Sequence, residues 1–412
     1  MATSYLTHTH GSAGNQKTFT ISFWFKRSNL TTGHFFTYQD ASSAIRSDFS
    51  IVNDRIGINF NPTGSAWGSD LTIQDNGSNI LFRDTNAWYH LVMAFDTTQA
   101  TASNRIKVYV NGNQKTMSGY PSQNFDTGYN TAIEHGVGTY IHSPGGNCFD
   151  GYMSHFAVVD GQQLAPTVFG STDSTSGIWK FKSPSGVTWG TNGFWLKFEN
   201  SGALGTDSSG NSNTFAVNGN LRQALDTPSN VYTTWNPLSR STGNVYSNGN
   251  TTVSYQNNYQ KNANATLTFN NGKWYGEFKR TGAANLHIGI VGNTFLEDGR
   301  IVTDTSANHT YNMRGHTGCI TLISNSGDQD IFVDGSDSGT NVDFNTSSGD
   351  IVMVAFDAAT KKIWFGKNGT WSSSGNPATG ANASLTYSGT ATSDFTFGTD
   401  TENGSVCLAN FG

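Results

Sequence analysis

Tyr89-His-Leu-Val-Met-Ala-Phe-Asp96 and, after a polar turn, Ile106-Lys-Val-Tyr-Val-Asn-Gly112 decide the fold. In the first segment Tyr89, Leu91, Met93 and Phe95 alternate with His90, Val92 and Ala94, the period of two that sends successive side chains to opposite faces of a strand. It is apolar on both faces, which predicts a central strand. Ile106, Val108 and Val110 keep the same period, and Asn111-Gly112 forms a corner suited to φ > 0. The pattern returns as Val354-Ala-Phe-Asp357, a turn, then Ile363 to Asn368-Gly369. Two copies of one antiparallel hairpin predict two β-sandwiches in tandem.

The surrounding sequence repeats this pattern. Phe19, Ile21, Phe23 and Phe25 alternate with Thr20, Ser22, Trp24 and Lys26. In the second half Trp274 to Phe278, His287 to Val291, Cys319 to Ile323 and Ile351 to Phe356 read as strands, the last of them central. Helical periodicity is confined to one turn, Gln163 to Phe169, ended by Gly170. From Gly170 to Leu225 the chain is rich in Ser, Gly, Thr and Asn, yet Phe194 to Phe198 and Thr214 to Val217 read as strands that need partners. The expected organisation is therefore an all-β chain of two antiparallel sandwiches, 1–170 and 226–412, with an ordered connector over 171–225.

Composition removes several functions. Charged residues make up 13% and aromatics 13%, with 47 glycines, a combination foreign to disorder and typical of short strands joined by turns. A net charge of −6 without a Lys/Arg cluster argues against nucleic acid as a partner. The longest apolar run, Ile351–Phe356, is far short of the roughly 20 residues of a spanning helix, so no membrane insertion is expected. Met1 to His10 carry neither a basic nor an apolar leader region, and synthesis in a cytosol is expected. Cys148, Cys319 and Cys407 offer neither a disulfide framework nor a metal knuckle, and buried free thiols are expected at Cys148 and Cys407.

Certain motifs resemble known families. Phe19 to Lys26, Trp88 to Val92, Tyr109 to Gly112 and Phe149-Asp-Gly-Tyr-Met-Ser154 look like a laminin-G/concanavalin-A-like jelly roll over about 1–170. Gly272 to Phe278, Gly349 to Asp357, Ile363 to Gly369 and Asn410-Phe-Gly412 look like a SPRY domain over about 226–412. Asp160 to Gly170, Trp189 to Phe198, Gly205 to Asn211 and Asp226-Thr-Pro-Ser-Asn230 resemble segments of marine-phage virion proteins, in which a jelly roll precedes a SPRY-like domain. The resemblance implies a virion protein made in the host cytoplasm, a homo-oligomer within the particle, with other virion proteins and a host-surface glycan as partners. A capsid-decoration or assembly role without a ligand of its own is the alternative, and a polysaccharide hydrolase the weaker one.

Catalysis finds little support in the residues. Retaining glycoside hydrolysis needs two carboxylates about 5 Å apart, and Glu134, Glu199, Glu277, Glu297 and Glu402 are all far apart in sequence. Asp328 and Asp330 alternate but read as turn carboxylates, so no enzyme activity is expected. His8 and His10 would share one strand face, though a flexible polar N-terminus is the plainer reading. Asp207-Ser-Ser-Gly-Asn211 is dense in hard oxygens, so Asp207 and Asn211 are candidate Ca²⁺ ligands against the alternative of an Asx turn. No other cofactor is expected. Sugar sites stack a ring on an aromatic and hold its hydroxyls with Asp and Asn. Trp67 with Asp70, Tyr120 with Asn124 and Asp126, and Tyr129 with Asn130 are the candidate ligand residues, with Tyr140 a further loop aromatic.

Overall fold

A computed structural model describes residues 3–411 except 41–44, 63–70, 239–242, 256–260, 283–285, 297–311, 325–326, 328 and 402–403. The chain divides into two compact units, Met1–Val231 and Tyr232–Gly412. Both are sandwiches of antiparallel strands.

In the first unit one layer runs, in sheet order, Phe194–Leu196, Gly151–Asp160, Thr18–Arg27, Tyr89–Asp96, Ile106–Val110 and Asn113–Met117. The path continues without a break through Leu71–Asp75, Arg55–Asn61, Arg46–Val52, Phe36–Gln39, Glu134–Val137 and Tyr5–Thr9, and ends at Ala216–Asn218. Register follows the alternation: Phe19 faces Phe95, Ile21 faces Met93 and Phe23 faces Leu91, with Val108 next to Met93 on the following strand. These side chains share one core with Phe36, Phe49, Ile51, Ile56 and Ile58 of the other layer. A one-residue slip would send all of them to the opposite face, so the pattern fixes the pairing.

The opposite face of Tyr89–Asp96 is also covered, as its two-sided apolar pattern requires. Val92, Ala157 and Val159 pack beneath Phe169 and Trp195, with Leu164, Phe181 and Trp189 partly buried alongside. The expected helical turn is a single 3₁₀ turn, Pro166–Val168. The span 171–225 thus belongs to the first unit: Phe194–Leu196 pairs with Gly151–Asp160, and Ala216–Asn218 pairs with Tyr5–Thr9. Its remaining hairpin, Gly170–Thr172 with Trp179–Phe181, is a separate two-stranded ribbon.

The described residues of the second unit form two sheets. One runs Val245–Ser247, Thr252–Ser254, Val406–Asn410, Lys273–Thr281, Ile351–Asp357, Lys362–Lys367 and Thr370–Trp371; the other runs Lys261–Asn264, Thr396–Thr401, Leu286–Val291, Cys319–Ser324, Asp330–Val333 and Ser336–Asn341. Phe278, Val352, Val354, Phe356 and Phe365 share a core with Ile288, Ile290, Leu322 and Phe397. The two sandwiches carry the same hairpin corner. Asn111 and Gly112 have φ of 48° and 77°, and Asn368 and Gly369 have 48° and 88°. In each, the asparagine Oδ1 accepts a hydrogen bond from a backbone N–H at the start of the hairpin's first strand, His90 at 2.7 Å and Ile351 at 2.8 Å. All three cysteines are buried and unbridged.

Candidate functional site

A cleft of about 420 Å³ opens on the outer side of the first unit, within the range of small-ligand sites. Trp88, Asn111, Gly112 and Asn113 form one wall; Thr172, Gly177, Ile178 and Trp179 form the other. The first wall is the start of the central strand and the Asn-Gly corner. The second is the ribbon from the connector.

Each wall is held by specific bonds. Trp88 Nε1 donates to Asp226 Oδ1 at 2.8 Å, and the same carboxylate accepts from Lys26 Nζ at 2.7 Å. Both members of that ion pair are nearly sealed from solvent, with side chains 1% and 5% exposed. Trp179 Nε1 donates to His90 Nδ1 at 2.9 Å, and His90 Nε2 meets Ser22 Oγ at 2.9 Å. The imidazole stacks on Trp24 with ring centroids 4.6 Å apart. Burial lowers the His90 pKa to about 3, and His155 adds a smaller push in the same direction, so the ring is neutral at physiological pH.

Two glycines make room for the Trp179 indole. A β-carbon on Gly112 would lie 2.6 Å from its ring atoms, and one on Gly170 would lie 2.4 Å away. The ribbon itself is fastened at Asp173, which accepts from Lys180 Nζ and from the Ser176 N–H and so keeps its carboxyl well below the usual range. Ile178 is 60% exposed at the rim, an apolar surface without cover. Chemically the cleft offers indole surface, amide groups, the exposed Thr172 hydroxyl and no charged side chain.

The residues expected from sequence to bind ligand lie elsewhere. Trp67 and Asp70 fall outside the described residues. Tyr129 is a correction: it is fully buried, its hydroxyl donates to the Phe36 carbonyl and accepts from Ser47 Oγ, and its ring stacks on Phe36. Asn130 is corrected with it, being 2% exposed and bonded to the Asn15 carbonyl. A side chain sealed in the core has no face for a sugar. Tyr120 packs partly against the core, while Asn124 is exposed and Asp126 pairs with Lys17 at 3.7 Å. None of these lines the cleft, and Tyr140 is stacked on His34.

The loop at Asp207 has the geometry of an Asx turn. Asp207 Oδ1 accepts from the Trp195 and Ser209 N–H groups, and Oδ2 accepts from Ser209 Oγ and the Asn213 N–H. Asn211 Nδ2 donates to the Gly190 and Gly193 carbonyls. The expected flexible N-terminus is a further correction, because His8 lies in a paired strand and His10 is 3% exposed. His10 sits between His8 and His135, with ring centroids 4.9 and 4.7 Å away. Among the described residues no group of three His, Cys, Asp or Glu is arranged to hold a metal ion.

Sequence reasoning missed Trp179 and read Trp88 only as part of the central strand and of the jelly-roll motif Trp88 to Val92. The available signal was a tryptophan in a Gly/Ser/Thr-rich span, too polar a setting for an ordinary core residue.

This architecture places the first unit in the concanavalin A-like class of sandwiches. Residues 1–168 match the family model described as the Concanavalin A-like lectin/glucanases superfamily. No curated protein matches the sequence. Among solved structures, the SPRY domain of human HERC1 aligns at 13% identity and a TM-score of 0.31, covering 42% of this chain and 96% of that one. The TRIM65 PSpry domain aligns at 11% identity and 0.32, covering 44% and 93%. A heptameric SAP-like pentraxin from Limulus polyphemus aligns at 14% and 0.32, covering 52% and 88%. Similarity of this size carries no functional argument.

Proposed function

We propose that the chain is a non-enzymatic binding protein whose first unit takes a neutral glycan in the cleft between Trp88 and Trp179. One observation carries this reading: the cleft sets the half-buried Trp179 indole, opposite the buried edge of Trp88, among amide and hydroxyl groups, and none of its lining residues is charged. Indole surface suits the C–H face of a sugar ring, and amides suit its hydroxyls. Hydrolysis would need paired carboxylates at the bound ring, and the lining supplies none.

The setting proposed for this activity is a phage particle, with the protein acting as a fibre or adhesin in host attachment beside other virion proteins. The support for that setting is the resemblance of the connector segments. The direct test is binding of the whole protein to a panel of neutral gluco-, manno-, galacto- and fuco-oligosaccharides, with sialylated and sulfated counterparts. Selective binding of a neutral member is expected, weakened about tenfold or more by Trp179→Ala. Absence of binding across the panel, with the protein co-purifying with empty heads, would leave the capsid-decoration reading in its place. Release of reducing sugar from any panel member would overturn the non-enzymatic assignment.

A further inference from the structure

The most specific construction in the first unit lies beneath the cleft. An indole N–H is a donor only, so the Trp179 Nε1 to His90 Nδ1 bond requires a lone pair on Nδ1. The neutral imidazole then carries its proton on Nε2 and donates it to Ser22 Oγ. The ring is 1% exposed and stacked on Trp24. Its strand is held by the Asn111 corner, whose Oδ1 accepts from the His90 N–H and whose own N–H donates to the His90 carbonyl at 2.9 Å. Histidine, corner and indole therefore form one connected unit, and two of its members line the cleft.

We propose that His90 is the positioning residue of the cleft: its Nδ1 lone pair fixes the Trp179 indole in the pose that receives the sugar. This rests on the reading that the cleft binds a neutral glycan. Among the described residues the ribbon bearing Trp179 forms a sheet only with itself; Phe181 at its base stacks on His155, and the indole bond to His90 ties the turn end to the sandwich. Without that bond the indole has neighbours but no directional anchor. A preorganised wall raises affinity because binding then need not order it.

Three variants test this in the whole protein. His90→Phe keeps a flat ring for Trp24 and removes the acceptor. His90→Asn places Oδ1 near the Nδ1 position and restores an acceptor for the indole while losing the Ser22 contact. Gly170→Ala intrudes on the indole and leaves His90 intact. The readouts are affinity for the oligosaccharide panel and hydrogen-exchange protection of the Trp179 indole N–H, with its resonance assigned by Trp179→Phe.

His90→Phe and Gly170→Ala are expected to weaken binding about tenfold and to lose indole protection, with His90→Asn recovering both to within about threefold. If His90→Phe retains wild-type affinity while Trp179→Ala loses it, the positioning role is wrong and the glycan site stands. If Trp179→Ala also binds normally, the glycan reading itself falls. Should His90→Phe fail to fold, the comparison of His90→Asn with Gly170→Ala decides: loss of binding in His90→Asn with the indole bond retained would overturn the proposal.

Discussion

Tyr129 shows how differently one side chain can be used from what its neighbours suggest. Flanked by Gly128 and Asn130, it carries the composition of a loop platform, yet it is fully buried with both sides of its hydroxyl engaged. Tyr129→Phe should cost about 1–2 kcal/mol, since the Phe36 carbonyl and Ser47 hydroxyl lose a buried partner. Tyr129→Ala should cost about 3–5 kcal/mol through the cavity it leaves. Denaturant unfolding of the protein measures both. Tyr129→Phe should leave oligosaccharide binding unchanged, which separates this core residue from Trp179. Burial here was not legible because loop residues have no periodicity to assign a face. By contrast Phe19, Ile21, Phe23 and Phe25 declared theirs, because strand geometry converts alternation into sidedness.

At the scale of elements, the connector loop around Asp207 does the work of a rivet. Four donors converge on its carboxylate, two of them from residues outside the turn, at Trp195 and Asn213. Asp207→Ala should destabilise the first unit by about 2–3 kcal/mol, because several N–H groups lose their acceptor together. A melting point that rises on adding calcium would show instead that these oxygens take the ion. The hairpins make the complementary case: Asn111-Gly112 and Asn368-Gly369 were readable as corners from two letters each, and the φ values agree. The cleft was not readable, because its walls come from residues 88–113 and 172–179 and meet only through the fold.

At the scale of the whole molecule, the expected response to acid starts in the first unit, where buried histidines are held neutral. Burial is the main cause in each case: it lowers His10 to about 2, His90 to about 3, and His135 and His155 to about 4. All four belong to the first unit. The unfolded chain protonates them near pH 6.5, whereas the folded unit refuses the proton, so below that pH the unfolded state gains. Each histidine then removes about 1.4 kcal/mol of stability per pH unit until its folded pKa is reached. The first unit should lose its near-UV circular dichroism on acidification between pH 6 and 4, and His10→Phe or His135→Phe should shift that transition to lower pH. A transition that stays in place in both variants would show that other groups govern it.

The strands at 194–196 and 216–218 have a practical consequence for anyone expressing the first sandwich alone. They are the two ends of its sheet path, and both come from sequence beyond residue 168, where the family match stops. A fragment cut at residue 170 would bare the hydrogen-bonding edges of Gly151–Asp160 and Tyr5–Thr9, the kind of edge that templates aggregation. It would also strip Trp195 from over Val92 and Val159. Residues 1–170 should therefore precipitate or self-associate, whereas 1–231 should remain monodisperse on size-exclusion chromatography. The span that matches the family model, 1–168, and the span that closes both ends of the sheet path, Met1–Val231, are for this sandwich two different lengths.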